Sequence, residues 1–183
     1  MMRRLKEDST QKRALHALLG LVGVGLCHAA AAGDDSDNQV FLEQLGDNQA
    51  QILESGEDNR ISVHQVNVTG SNSAVIALDG EDNRAQLEQR GGFLSAVVAL
   101  DEGEDNRASL RQRGQHSRLS VLFDGDRNRF DVDQGVTDNA NALALNVSVS
   151  GYGNRGVLSQ AGSGHSMAVS VVGAGNGVFA RQR

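Results

Sequence analysis

Proline and tryptophan are absent from these 183 residues, tyrosine occurs once, and the single cysteine is Cys27. With five phenylalanines as the remaining aromatics, the large side chains that ordinarily fill a globular core are missing. Lysine is as scarce: Lys6 and Lys12 are its two copies, both near the start. That start reads as an export signal. Arg3, Arg4, Lys6, Lys12 and Arg13 form a basic opening, Ala14 to Leu26 is an apolar run of signal-core length, and Ala29 to Ala32 offers small residues for cleavage. The run is too short to span a bilayer comfortably, and the bulky Leu26 before Cys27 argues against lipid attachment there. Residues 1–32 are therefore expected to be removed, with 33–37 as a short lead-in to the folded part.

Removal takes five of the 17 basic residues and two of the 23 acidic ones, leaving twelve arginines against 21 acids, a net charge of −9. That balance argues against nucleic acid as a partner, since such binding depends on clustered cations. The mature chain, without cysteine, has neither disulfides nor thiolate chemistry. An exported protein of this kind needs another source of rigidity.

What the chain does have is glycine, 22 of them, and a repeat. The pattern Asn-x-apolar-x-apolar-x-Gln occurs seven times, from Asn38 to Gln44, Asn59 to Gln65, Asn83 to Gln89, Asn106 to Gln112, Asn128 to Gln134, Asn154 to Gln160 and Asn176 to Gln182. A spacing of six is even, so in an extended chain the Asn, both apolar residues and the Gln point to one side. Weaker halves begin at Asn48, Asn72, Ser95, Ser117, Asn141 and His165, and glycine closes nearly every half, giving a period near 22 for the pair. Helix is a poor alternative, because the apolar residues keep a period of two and Gly or Asn interrupts them. The fold class this predicts is all-β: a β-solenoid, a two-sheet cross-β stack of about six and a half strand–turn–strand repeats over residues 38–183. One unit cannot bury its inner face alone, whereas stacked units share a narrow core. At ~4.8 Å per coil the stack would be roughly 30 Å long.

The inward pairs expected of the strong halves are Val40/Leu42, Ile61/Val63, Ala85/Leu87, Ala108/Leu110, Phe130/Val132, Gly156/Leu158 and Val178/Ala180. The Asn and Gln at the strand ends also face in, where an unpaired amide is costly. Identical amides one coil apart remove that cost if each side chain donates to one neighbour and accepts from the other, as in cross-β stacks. These fourteen residues are the candidate polymerisation ladder.

The stretch Asn-x-Ala-x-Leu-x-Gln-x-Gly, at Asn83 to Gly91 and Asn106 to Gly114, resembles the curlin repeat of bacterial curli fibres. The resemblance extends over about Asn38 to Arg183 and includes the Gln-x-Gly-x-x-Asn-x-Ala core. It implies a secreted amyloid subunit that polymerises at the cell surface into adhesive fibres of the biofilm matrix. It also implies self-association, other curlin-type subunits as partners, an outer-membrane secretion channel and accessory chaperones. Departures from the major-subunit pattern are dense charge, little Tyr and Ser, and weak halves in which Glu54 and Asp101 stand at the terminal Gln position. The basic ending Ala180-Arg-Gln-Arg183 is similar to the last strand of the minor, nucleating subunit.

Three turns read Gly-Glu-Asp-Asn-Arg, and stacking aligns their Arg60, Arg84 and Arg107 with Arg129 and Arg155 in one outward column beside Asp58, Asp82 and Asp105. The nine-residue glycine–aspartate repeat of calcium-binding β-rolls is missing, so these carboxylates read as a solvated face. The weak-half sheet is expected to turn Val75, Ala77, Ala96, Val98, Leu100 and Leu122 outward, as an apolar interaction face. His64, His116 and His165 fall at unrelated phases of the repeat. No zinc spacing, phosphate loop or nucleophile constellation is present, so neither an enzyme nor a cofactor is expected. The alternative to a polymer is a monomeric secreted β-solenoid binding a polysaccharide, ice or another surface through one flat face. Solenoids of that class need polar end caps, and none is legible here.

Overall fold

Strong and weak halves go to opposite sheets. The computed structural model describes residues 16–22, 26–32, 37–67, 69–100, 103–135 and 143–183, the first two segments as backbone alone. In chain order the strands are β1 (His16–Val22), β2 (Leu26–Ala32), β3 (Gln39–Leu45), β4 (Asn48–Ser55), β5 (Arg60–Val66), β6 (Asn72–Leu78), β7 (Arg84–Gly92) and β8 (Ser95–Leu100). They continue as β9 (Arg107–Gln115), β10 (Arg118–Leu122), β11 (Arg129–Gln134), β12 (Ala144–Asn146), β13 (Arg155–Gln160), β14 (Ser166–Ala168) and β15 (Gly177–Gln182). Every odd strand lies in one parallel sheet, in the order β1-β3-β5-β7-β9-β11-β13-β15, and every even strand in the other, β14-β12-β10-β8-β6-β4-β2. This is a two-sheet β-solenoid, with no helix among the described residues.

Register keeps the repeat in columns. Gln39, Arg60, Arg84, Arg107, Arg129, Arg155 and Gly177 face one another in turn, so a coil takes 21 to 26 residues. The longest coil contains residues 136–142, which lie outside the described residues. Alternation does the sorting: β9 reads exposed, buried, exposed along Arg107, Ala108 and Ser109, and its neighbours share that phase. The expected inward pairs are buried through Gly156 and Leu158, while Val178 and Ala180 on the last strand are only partly covered. Size is balanced within a column. Phe130 fits because the next residue in its column is Gly156, where an added Cβ would come within 2.1 Å of the ring. Phe123 leans on the same ring from the other sheet, at 5.3 Å between centroids.

The weak halves depart from the sequence reading in phase. Leu94, not Ser95, stands opposite Asn72, and its N–H donates to Asn72 Oδ1 at 3.2 Å. Asn141 lies outside the described residues, and Leu143 takes that place in the column, its carbonyl accepting from Arg118. Consequently Ala96, Val98 and Leu100 point into the core and are buried, contrary to the expectation that they face out. Where every position of a strand is small and apolar, nothing in the pattern marks the parity. An outer apolar stripe does exist, built instead from Leu53, Val97 and Leu122, each more than two-fifths exposed, with Val75 and Ala77 half-buried between them.

The segment read as an export signal supplies two strands. β1 pairs with β3 from His16↔Gln39 to Val22↔Leu45, and β2 pairs with β4 from Leu26↔Gln49 to Ala32↔Ser55. Together they occupy the place of one further coil.

Candidate assembly surfaces

Strand ends place the amides. In each strong half the Gln lies near the end of its strand on the inward face, and the seven form one column along the stack. Gln44 Nε2 donates to Gln65 Oε1 at 2.5 Å, Gln65 to Gln89 at 2.6 Å, Gln89 to Gln112 at 2.8 Å and Gln112 to Gln134 at 3.0 Å. Gln134 donates in turn to Gln160, and Gln160 to Gln182, both at 3.0 Å. The second proton of several of these amides goes across the core to the opposite sheet, as from Gln112 to the Ser95 carbonyl at 3.1 Å. The column is thus polar: every donor points towards the C-terminal end.

The Asn column works differently from the reciprocal side-chain ladder the sequence suggests. Each Asn Oδ1 accepts the backbone N–H of the next Asn, from Asn59 onto Asn38 at 2.9 Å through to Asn176 onto Asn154 at 2.9 Å. The amide group turns away to the glycine carbonyl of the following turn, as from Asn83 to Gly103 and Asn106 to Gly125, each at 2.7 Å. A six-residue spacing shows that the Asn faces in; it does not show that a shorter side chain reaches a backbone donor before it reaches another amide. Only Asn154 also donates to an Asn side chain among the described residues, to Asn128 Oδ1 at 3.0 Å. Both columns are dry through Asn154 and Gln160, whereas Asn176 and Gln182 at the end are uncovered in part.

The ends are where these networks stop. Gln44 Oε1 is buried without a hydrogen-bond donor, although β1 lies alongside, and the residue in register there is Leu21. Phe179 on β15 is 77% exposed and Val172 78% exposed, the largest exposures among the large apolar side chains of the described residues. Outside, Arg60, Arg84, Arg107, Arg129 and Arg155 form the expected exposed column. Asp58, Asp82 and Asp105 sit in the turns with φ near +55°, and Arg127 takes the same conformation one coil on. Arg111 bridges two coils, 3.2 Å from Glu88 and 3.8 Å from Asp133. Such solvated pairs contribute about 0–1 kcal/mol each. His64 lies 4.0 Å from Glu43 on the outer surface, and His116 stacks on Phe93 at 5.4 Å.

One inward group was not legible as special. Glu54 stands at the terminal-Gln position of its weak half, opposite Leu78, which in turn faces Leu100; Asp101 lies outside the described residues. Glu54 is 3% exposed, neither carboxylate oxygen has a hydrogen-bond partner, and burial raises its pKa to about 7. Among the described residues no three His, Cys, Asp or Glu side chains gather to hold a metal ion.

Residues 80–114 match the family model described as the Curlin associated repeat. The matched stretch runs from the Gly80 turn through β7 and β8 into β9, where two successive coils repeat each other most closely. No curated protein and no solved structure matches the chain.

Proposed function

From a β-solenoid that carries a curlin-type repeat, we propose a secreted fibre subunit that polymerises at the cell surface as an amyloid of the adhesive, biofilm-forming kind. The observation that carries this reading is the pair of amide columns, which run the length of the stack and stop at faces with bonding capacity left over. A sheet edge with unpaired backbone groups is a template for another chain. Residues 1–32 act as the export signal in this reading, and removal near Gly33 leaves β3 and β4 as the first coil. By resemblance, export uses an outer-membrane channel with accessory chaperones. Self-association and joining to other curlin-type subunits follow from the same edges. The fourteen Asn and Gln residues are the polymerisation ladder of this proposal.

A nucleating role in the fibre is favoured by Arg181 on the last strand and Arg183 just after it, which put positive charge there. Added in small amounts, a nucleator shortens the lag of a second curlin-type subunit; an unchanged lag removes that role. The general reading is tested by thioflavin fluorescence and electron microscopy of the exported, processed chain. Unbranched fibres with a cross-β signal are expected, and a compact monomer that persists alone and with curlin-type seeds overturns the proposal.

The turn carboxylates give a further expectation. Glu57, Asp58, Glu81, Asp82, Glu104 and Asp105 flank β-prone strands, where charge slows premature pairing. Replacing the six with Gln or Asn keeps the turn geometry, since Asn tolerates the positive φ of the Asp positions. The lag before fibre growth is expected to shorten; an equal or longer lag counts against this role.

A further inference from the structure

We propose that the N-terminal face of the processed stack receives the C-terminal face of a second copy in unbroken register, and that the junction tightens when Glu54 takes up a proton. The proposal rests on the fibre reading above and adds the identity of the contacts and their control.

Continuing each column by one step defines the contact. The coil after β15 would be β3 of the next copy, so Gln182 meets Gln44, Arg181 meets Glu43, and Phe179 meets Phe41. Each pairing is complementary. Gln182 Nε2 is the donor left over at one end, and Gln44 Oε1 is the buried acceptor without a donor at the other. Arg181 and Glu43 carry opposite charges at exposed positions, and both Phe rings face out, 77% and 37% exposed. The Asn column has the reverse polarity, so Asn38 N–H on the second copy would reach Asn176 Oδ1 on the first. Neither column would have to change direction at the joint.

The other sheet supplies the control. There the same continuation sets Met167 over Ala50, Val169 over Ile52 and Val171 over Glu54. The Glu54 column otherwise holds Leu78, Leu100, Phe123, Val149 and Val171, all buried. Among the described residues no ionisable group faces it. Its own strand offers Ile52, β6 offers Leu78, and β2 places Ala29 to Ala32 in register with Ile52 to Ser55. The inward residues of β3 and β5 are aliphatic or amide, and the nearest charges in sequence, Glu57 and Asp58, are exposed in the turn. In the described stack β2 stands over Glu54 where a second copy would stand, so the burial seen there is the burial a junction imposes. On an uncovered face the carboxylate is hydrated and ionised; under another coil it is desolvated with no partner.

The sign follows from the shift. A carboxyl raised from 4.5 to about 7 on burial favours the closed junction fully below about pH 4.5, loses that advantage as pH rises to about 7, and is constant above. Over that span the junction should tighten about tenfold between pH 8 and pH 6. The measurement is the soluble concentration left in equilibrium with fibres of the exported, processed chain, at those two pH values. Wild type is expected to leave about tenfold less at the lower pH, and Glu54→Gln and Glu54→Leu to lose that dependence. A dependence that survives in both variants arises elsewhere in the chain and overturns the proposal, as does a flat wild-type profile. Register is tested separately. Glu43→Arg and Arg181→Glu should each raise the residual soluble concentration, by up to about fivefold, and the double exchange should restore it. Failure of the exchange to restore it overturns the register. If no variant forms fibres at any pH, the fibre reading itself falls, and this junction with it.

Discussion

Replacing Gly91 with alanine is expected to lower the stability of the stack by about 2–6 kcal/mol, combining backbone strain with overpacking. Gly91 has φ of +137°, where side-chain-bearing residues rarely sit, and an added Cβ would lie 1.9 Å from the Gly114 carbonyl oxygen. The obstacle is backbone of the next coil, so no side chain can swing away. A denaturant midpoint read by far-ultraviolet dichroism measures the loss. Gly175 is the control, with φ of +67° and nothing within 4 Å of a built Cβ. Gly175→Ala should cost only about 1–2 kcal/mol, from the left-handed backbone alone. Equal costs at the two sites would mean that close approach of the coils is not what fixes glycine at Gly91.

The second large effect concerns an amide in mid-column. Gln112→Leu removes the acceptor for Gln89 and the donor for both Gln134 and the Ser95 carbonyl. Leaving buried groups unpaired costs about 1–3 kcal/mol each, and the added apolar burial of Leu returns part of it, so a net loss of about 2–5 kcal/mol is expected. Gln182→Leu, at the half-buried end, removes one acceptor only, that of Gln160 Nε2, and should cost a single chain less, about 1–2 kcal/mol. A mid-column loss no larger than the end loss would remove the ladder from the account of stability.

These two sites also show what the amino-acid sequence made legible. The strong halves could be assigned residue by residue because Asn and Gln bracket each one, fixing its length and its inward face together. Val40, Ile61, Leu87 and Leu110 are buried as that bracketing requires. The weak halves have no such brackets. At Leu94-Ser95-Ala96-Val97-Val98 either parity satisfies an apolar count, and the actual one is set by the bond from Leu94 N–H to Asn72 one coil away. Glu54 could not be singled out for the same reason, since its burial follows from a column shared with Leu78 and Leu100 and not from its own neighbours. The partner of the Asn side chains was likewise a matter of reach. Position along the strand was written in the sequence; the choice between backbone and amide was decided by geometry across coils.

Near-identical coils have a genetic corollary. Gly80-Glu-Asp-Asn-Arg84 and Gly103-Glu-Asp-Asn-Arg107 stand in the same register, Arg84 opposite Arg107. Unequal recombination between them would excise or duplicate a 23-residue unit, joining Asn83 to Arg107 or repeating the interval. Either product keeps β3 at one extremity and β15 at the other. A lineage could therefore shorten or lengthen its subunits without losing compatibility with copies of the parental size.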